Sequence, residues 1–102
     1  MSKVLTKIRK KEYDVTIFQT PKYRQRKGYT QVYRYNVHGD SHYDCLEKTF
    51  KKFNVPDRIP TDYLGRFIAT GDIIFIDEGL KGQYYYQLQT GGWKEVNRIN
   101  VR

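Results

Sequence analysis

Cysteine is almost missing from this 102-residue chain: Cys45 stands alone. That excludes a disulfide framework and a cysteine-based zinc site, and it points to a reducing compartment. Long apolar runs are missing too; none approaches the roughly 18–20 residues of a membrane span. The opening Met1-Ser2-Lys3-Val4-Leu5-Thr6-Lys7 has no apolar stretch of signal-peptide length, so the expectation is a cytoplasmic protein with no membrane partner. Acidic excess is also lacking. Lys and Arg number 19 against 11 Asp and Glu, a net charge of +8, which excludes an acidic mimic of DNA. No GxxxxGK[ST] loop occurs to cradle a phosphate; Gly79, Gly82, Gly91 and Gly92 sit in turn-like contexts. No Ser-His-Asp arrangement can be argued from spacing. The chain is therefore expected to be a non-enzyme, without a cofactor, a metal or a small-molecule substrate.

What is abundant is tyrosine and cationic side chains. Aromatics make up 16% of the residues, ten of them tyrosines. The length allows one domain, 1–102, which hides only about two-thirds of the surface its unfolded chain exposes. The positive charge is segregated. Residues 1–34 carry ten Lys/Arg against Glu12 and Asp14, whereas residues 35–102 carry nine of each sign. Such asymmetry suits a polyanionic partner, through Coulomb steering and counterion release; a merely soluble basic surface is the plainer alternative.

Hydrophobic periodicity gives the elements. Tyr13, Val15 and Ile17 alternate with polar neighbours across 13–19, and 29–37 is rich in Tyr, Thr and Val, so residues 13–37 read as a β-hairpin. Pro21 and Gly28 punctuate its connection, Thr20-Pro21-Lys22-Tyr23-Arg24-Gln25-Arg26-Lys27-Gly28, a basic finger. Residues 1–10 fit either an edge strand or a tail. A helix is expected over 41–54, capped by Ser41 with Asp44 three residues on. Its apolar stripe would be Tyr43, Leu46, Phe50 and Phe53, its last turns carry Lys48, Lys51 and Lys52, and Asn54 and Pro56 stop it. After a connector, 72–77 reads as a central strand covered on both faces. Gln83–Gln89 and Trp93–Val96 complete a β-meander within 72–102, with Ile99 and Val101 open to extend it. The expected class is α+β: a small antiparallel sheet of about five strands, in the order β-β-α-β-β-β, with one helix packed on one face.

Three blocks of residues resemble the YodL-like domain family of bacterial mobile elements. Leu46-Glu47, Phe50, Phe53 and Asn54 match a helix of the form L-E-x-x-[FY]-x-x-F-N. Asp62-Tyr63, Gly65-Arg66 and then Gly71-Asp72-Ile73-Ile74 are similar to its D-[FY]-x-G-[HR] … D-[IV]-[IV] segment. Tyr84-Tyr85-Tyr86 followed by Gly92-Trp93-Lys94-Glu95-Val96 looks like its ending. The likeness covers about residues 45–97, with Tyr13-Asp14-Val15 and Tyr33 as weaker matches. The family's serines before the aspartate are Ala69, Thr70 and Gly71 here, and its D-S-x-G-F stretch is Leu88-Gln89-Thr90-Gly91-Gly92-Trp93. The resemblance implies a phage or mobile-element anti-defence role in a host bacterial cell. By analogy that role is an anti-CRISPR inhibitor of a type II CRISPR effector nuclease, acting on the effector or its guide RNA and blocking assembly or target binding.

The expected contact residues are Lys7, Arg9, Lys10, Lys11, Lys22, Tyr23, Arg24, Arg26, Lys27, Tyr29 and Arg34. Cations would neutralise phosphates while tyrosine faces stack on unpaired bases. A general RNA- or single-strand-binding accessory protein is the alternative. A small ribonuclease is a further one, because His38, Asp40, His42 and Asp44 crowd two imidazoles and two carboxylates into seven residues. The plainer reading of that cluster is turn and helix-cap chemistry. Cys45, beside the helix stripe, reads as a small buried residue.

Overall fold

The computed structural model describes residues 11–22 and 27–97. Its strands are β1 (Lys11–Gln19), β2 (Thr30–Gly39), β3 (Ile73–Asp77), β4 (Gln83–Gln89) and β5 (Gly92–Val96). The helix α1 (His42–Lys52) lies between β2 and β3, and single 3-10 turns occupy Pro56–Arg58 and Gly79–Lys81. All strand pairs are antiparallel, and the sheet order is β2-β1-β3-β4-β5. Residues 1–10, 23–26 and 98–102, with the tip of the expected finger and the extension through Ile99 and Val101, lie outside the described residues.

The expected hairpin forms from β1 and β2, with one register shift between Ile17 and Phe18. Alternation then sorts the side chains. Tyr13, Val15 and Ile17 of β1 join Ile74 and Ile76 of β3 in one core cluster, to which α1 contributes Cys45 and Leu46 and its C-cap residue Phe53. Tyr33 and Tyr35 of β2 set their rings edge-on against Phe53 at 5.5 and 5.4 Å. The opposite side of the sheet carries Thr16, Phe18, Ile73, Phe75 and Tyr85. Phe75 and Tyr85 are directly paired and stack at 4.5 Å. β3 is central and its Ile73, Ile74 and Ile76 are fully buried, as its unbroken apolar run requires.

The helix is shorter than 41–54; of its expected stripe Leu46 and Phe53 are buried and Tyr43 is not. Ser41 is the N-cap, its Oγ accepting from the Asp44 N–H at 3.2 Å, and Phe53 is the C-cap. The buried positions are Cys45, Leu46 and Thr49, whereas Tyr43 is 65% exposed and Phe50 only partly covered. Thr49 goes inside because its hydroxyl has a partner there, the Tyr35 hydroxyl at 2.8 Å. Among the described residues no helix is long and apolar enough to cross a membrane.

Candidate functional site

Eleven Lys/Arg and eleven Asp/Glu fall within the described residues. The whole +8 excess therefore belongs to residues 1–10, 23–26 and 98–102. Of the expected contact residues, Lys7, Arg9, Lys10, Tyr23, Arg24 and Arg26 lie outside the described residues. Lys11 opens β1 and Lys22 lies three residues beyond its end, the nine residues of the strand spanning roughly 30 Å. Among the described residues, Lys11 and Lys22 are thus set apart along the sheet.

Of the expected contact residues that are described, Lys11 and Arg34 have carboxylate partners. Arg34 holds Asp14 in a two-point bridge, Nε to Oδ1 at 2.9 Å and Nη2 to Oδ2 at 2.6 Å. Lys11 Nζ donates to Glu78 Oε1 at 2.6 Å and lies 5.1 Å from the centre of the Tyr13 ring. Lys27 is exposed. Tyr29 corrects the sequence reading: it is only 4% exposed, its hydroxyl donates to the Gly71 carbonyl at 2.6 Å, and Gln87 Nε2 donates to it at 3.3 Å. A ring so covered offers no face to a base.

Beside Glu78 opens a shallow groove of about 520 Å³. Lys11 and Lys81 line it, but so do Glu12, Asp14, Asp77 and Glu78. Carboxylates outnumber the cations, so this groove repels phosphate.

The His38–Asp44 stretch does not converge on one point. His38 pairs across the strands with Glu12. The Asp44 carboxylate accepts from the Asp40 N–H at 2.9 Å and faces Lys48 at 3.4 Å, which is cap and helix-surface chemistry. Among the described residues no three His, Cys, Asp or Glu side chains assemble a metal site. Cys45 is buried, and burial pushes its thiol up to about 11.

His42 has partners that no local sequence signal announces. Its Nε2 hydrogen-bonds the Glu78 carboxylate, its Nδ1 meets the Tyr86 hydroxyl at 2.6 Å, and the Tyr84 ring lies edge-on at 4.6 Å. Hydrogen bonds from Lys11 and then His42 hold Glu78 below the ordinary glutamate range. An ionised Glu78 only accepts, so Nε2 carries a proton toward it. Burial pushes the Tyr86 phenol up to about 12, which keeps it a donor and not a phenolate nucleophile. The constellation ties the start of β1, the start of α1 and the β3–β4 turn together.

A second polar cluster explains the Asp62-Tyr63, Gly65-Arg66 and Asp72 motif. Buried Gln19 donates to the carbonyl of Arg66 at 2.9 Å and to Asp72 Oδ2 at 3.0 Å, and its Oε1 accepts the Arg66 N–H at 3.0 Å. Arg66 Nη1 donates to the Thr20 carbonyl at 2.7 Å and Nη2 to Asp72 Oδ1 at 3.1 Å. Tyr63 also donates to the Arg66 carbonyl, at 2.6 Å. Burial raises the Asp72 carboxyl above the ordinary aspartate range, opposed by the Ala69 N–H, Arg66 and Gln19. A Cβ at Gly65 would stand 2.6 Å from both Gln19 Oε1 and the Tyr63 hydroxyl, so any larger residue would force Gln19 or Tyr63 to shift. These residues hold a loop in place and are committed to one another.

Comparison with known proteins agrees with the motif. The model of the YodL-like domain matches residues 2–98. The chain is 54% identical over 90 residues to the uncharacterized protein YodL of Bacillus subtilis (strain 168), covering 88% of this chain and 86% of that protein. No solved structure matches.

Proposed function

This chain belongs to the YodL-like domain family, and from that premise we propose that it is a binding protein and not an enzyme. In this reading the domain, its helix covering one face of the sheet, carries cationic segments that engage RNA. The observation that carries the reading is charge placement. Residues 35–102 carry nine of each sign, whereas residues 1–34 carry ten Lys/Arg against Glu12 and Asp14. Lysine and arginine there neutralise phosphates and release condensed counterions. Tyr23 lies among Lys22, Arg24 and Arg26 and supplies a stacking ring. Against catalysis stands the His42 site: its polar groups are satisfied by Glu78 and Tyr86, and no separate acid–base set accompanies it among the described residues.

In its narrowest form the partner is a host ribonucleoprotein, a type II CRISPR effector with its guide RNA, and the protein is an inhibitor carried by a mobile element in the bacterial cytoplasm. Support for that form is the family context alone. The deciding experiment titrates a labelled single-stranded RNA with wild type and with Lys22→Glu/Arg24→Glu/Arg26→Glu/Lys27→Glu at two salt concentrations. Loss of binding in the folded variant supports the reading, and unchanged binding overturns it. For the narrow form, effector cleavage is assayed with the protein added before and after guide loading; no inhibition in either order removes it.

A further inference from the structure

We propose that the outer edge of β2 pairs with the same edge of a second copy of this chain, antiparallel about Tyr35, joining two sheets into one. Hydrogen-bond alternation identifies the open backbone groups. Just before β3 the Leu88 N–H donates to the Asp72 carbonyl at 3.0 Å, and just after it the Glu78 N–H donates to the Gly82 carbonyl at 2.9 Å. Even-numbered residues of this strand therefore bond β4, and odd-numbered ones bond β1. Asp77 is paired with Asp14, so even-numbered residues of β1 face β3 and odd-numbered ones face β2. Tyr13, Val15 and Ile17 thus bond Val37, Tyr35 and Tyr33. The N–H and C=O groups of Arg34, Asn36 and His38 then point away from the sheet. The His38 carbonyl fits that direction, since it accepts from Lys48 Nζ at 2.8 Å. At the other end the register shift passes over Val32, and such a bulge ends regular pairing. Between these limits Arg34 and Asn36 have backbone N–H and C=O groups with no partner among the described residues.

Open backbone at this spacing is complementary to an extended strand, and a second β2 fits the window. With a two-fold axis at Tyr35, Arg34 lies opposite Asn36 of the second copy, and Asn36 opposite its Arg34. Every open N–H and C=O of that pair is then used in both copies. Sliding the register by two residues sets Arg34 against Arg34 in one direction. In the other it sets Arg34 against His38, whose carbonyl Lys48 already holds. Edges are commonly guarded by proline or by a bare charge. β2 has no proline, and Arg34, its only lysine or arginine, is bridged to Asp14. Asp77, Asp14 and Asn36 form one cross-strand row. Arg34 of the second copy continues it, so the charge next along that row is of opposite sign. On the other face Tyr35 meets Tyr35 and Tyr33 meets Val37, favourable cross-strand pairs. The pairing is isologous and uses both β2 edges, so it closes at a dimer. It is independent of the RNA reading.

Sedimentation equilibrium of the nuclease-treated full chain is expected to show twice the mass of one chain, with dissociation on dilution. Asn36→Pro removes an outward N–H that β1 does not use, and proline is tolerated at such an edge position. This variant is expected to keep the wild-type far-UV spectrum and to dimerise at least tenfold more weakly. A second measurement does not depend on that variant. Chains carrying Arg34→Cys are mixed with chains carrying Asn36→Cys and oxidised. In the proposed register positions 34 and 36 of opposite copies stand about 5.5 Å apart at Cα, within disulfide reach. Two copies of the same position are diagonal neighbours about 7–8 Å apart, outside it. The mixed disulfide is expected to form at least tenfold faster than either homotypic one, with buried Cys45 not taking part. A wild type still monomeric at about 1 mM, a folded Asn36→Pro chain that dimerises as tightly as wild type, or a mixed disulfide no faster than the homotypic ones would each overturn the proposal.

Discussion

Gln19 and Asp72, fifty-three residues apart in sequence, meet through a buried hydrogen bond of 3.0 Å. Around that bond the loop from α1 to β3 closes onto the end of β1. Gln19→Ala is expected to lower stability by about 2–3 kcal/mol, because the Asp72 carboxylate and the Arg66 backbone lose partners while staying covered. Urea unfolding measures it; a loss under about 0.5 kcal/mol would show that the bond contributes nothing of consequence.

Gly65→Ala tests the close approach at the same place. The added Cβ meets Gln19 and Tyr63 at 2.6 Å, and the expected cost is about 1–3 kcal/mol. Gly91→Ala is the matched comparison: nothing lies within 4 Å of its Cβ position, and the change should stay within about 0.5 kcal/mol. Equal thermal midpoints for the two variants would contradict this.

Hydrogen bonds from Lys11 and His42 hold the folded Glu78 carboxyl below the ordinary glutamate value of 4.5. A depressed carboxyl binds fewer protons in the folded than in the unfolded state, so its stabilisation is present above 4.5 and lost as pH falls through the folded value. Asp72, raised by burial, has the opposite slope. Comparing wild type with Glu78→Gln isolates the first effect, since Asp72 is common to both. The wild type should lose its advantage over the variant as pH falls below 4.5; a pH-independent difference would refute the assignment.

RNA binding should discriminate among cations. Arg34 is neutralised by Asp14, so Arg34→Gln should leave affinity within about twofold, whereas replacing Lys22, Arg24, Arg26 and Lys27 by glutamate should weaken it far more, with the residual binding still measurable at low salt. On a single strand the logarithmic salt slope is about −0.7 per neutralised phosphate. The reversed variant should therefore flatten that slope by about 3.

Cys45 should resist thiol reagents in the native state, being buried with its thiol pushed up to about 11. Disulfide-exchange titration in buffer is expected to report almost no thiol, and one per chain in denaturant. Rapid native labelling would mean the helix opens far more readily than its packing implies.

Much of the fold was legible because it depends on local signals: alternation at Tyr13, Val15 and Ile17, the Ser41 cap, and the unbroken Ile73–Ile76 run. The helix stripe was read correctly at Leu46 and Phe53, with Phe50 packed against the core, and misplaced at Tyr43. Tyr43 reads as apolar and Thr49 as polar, yet Thr49 is buried once Tyr35 supplies a hydroxyl from another strand. Tyr29 follows Gly28 and so seemed part of the finger, but a carbonyl 42 residues away claims it. His42 was singled out for the wrong neighbours. Its real partners, Glu78 and Tyr86, are 36 and 44 residues distant, and Gln19 carries no local mark of burial. What escaped the sequence was in each case a polar side chain satisfied from far along the chain.

β1 is bonded on one side to β2, its sequence neighbour, and on the other to β3, more than fifty residues later. On the ribosome the hairpin can close early, but its inner edge must wait bare until Ile73–Asp77 has emerged. A nascent or truncated chain ending before residue 73 would therefore expose the Val15 and Ile17 edge to any strand within reach. Late-arriving β3 is the guard against aggregation during synthesis.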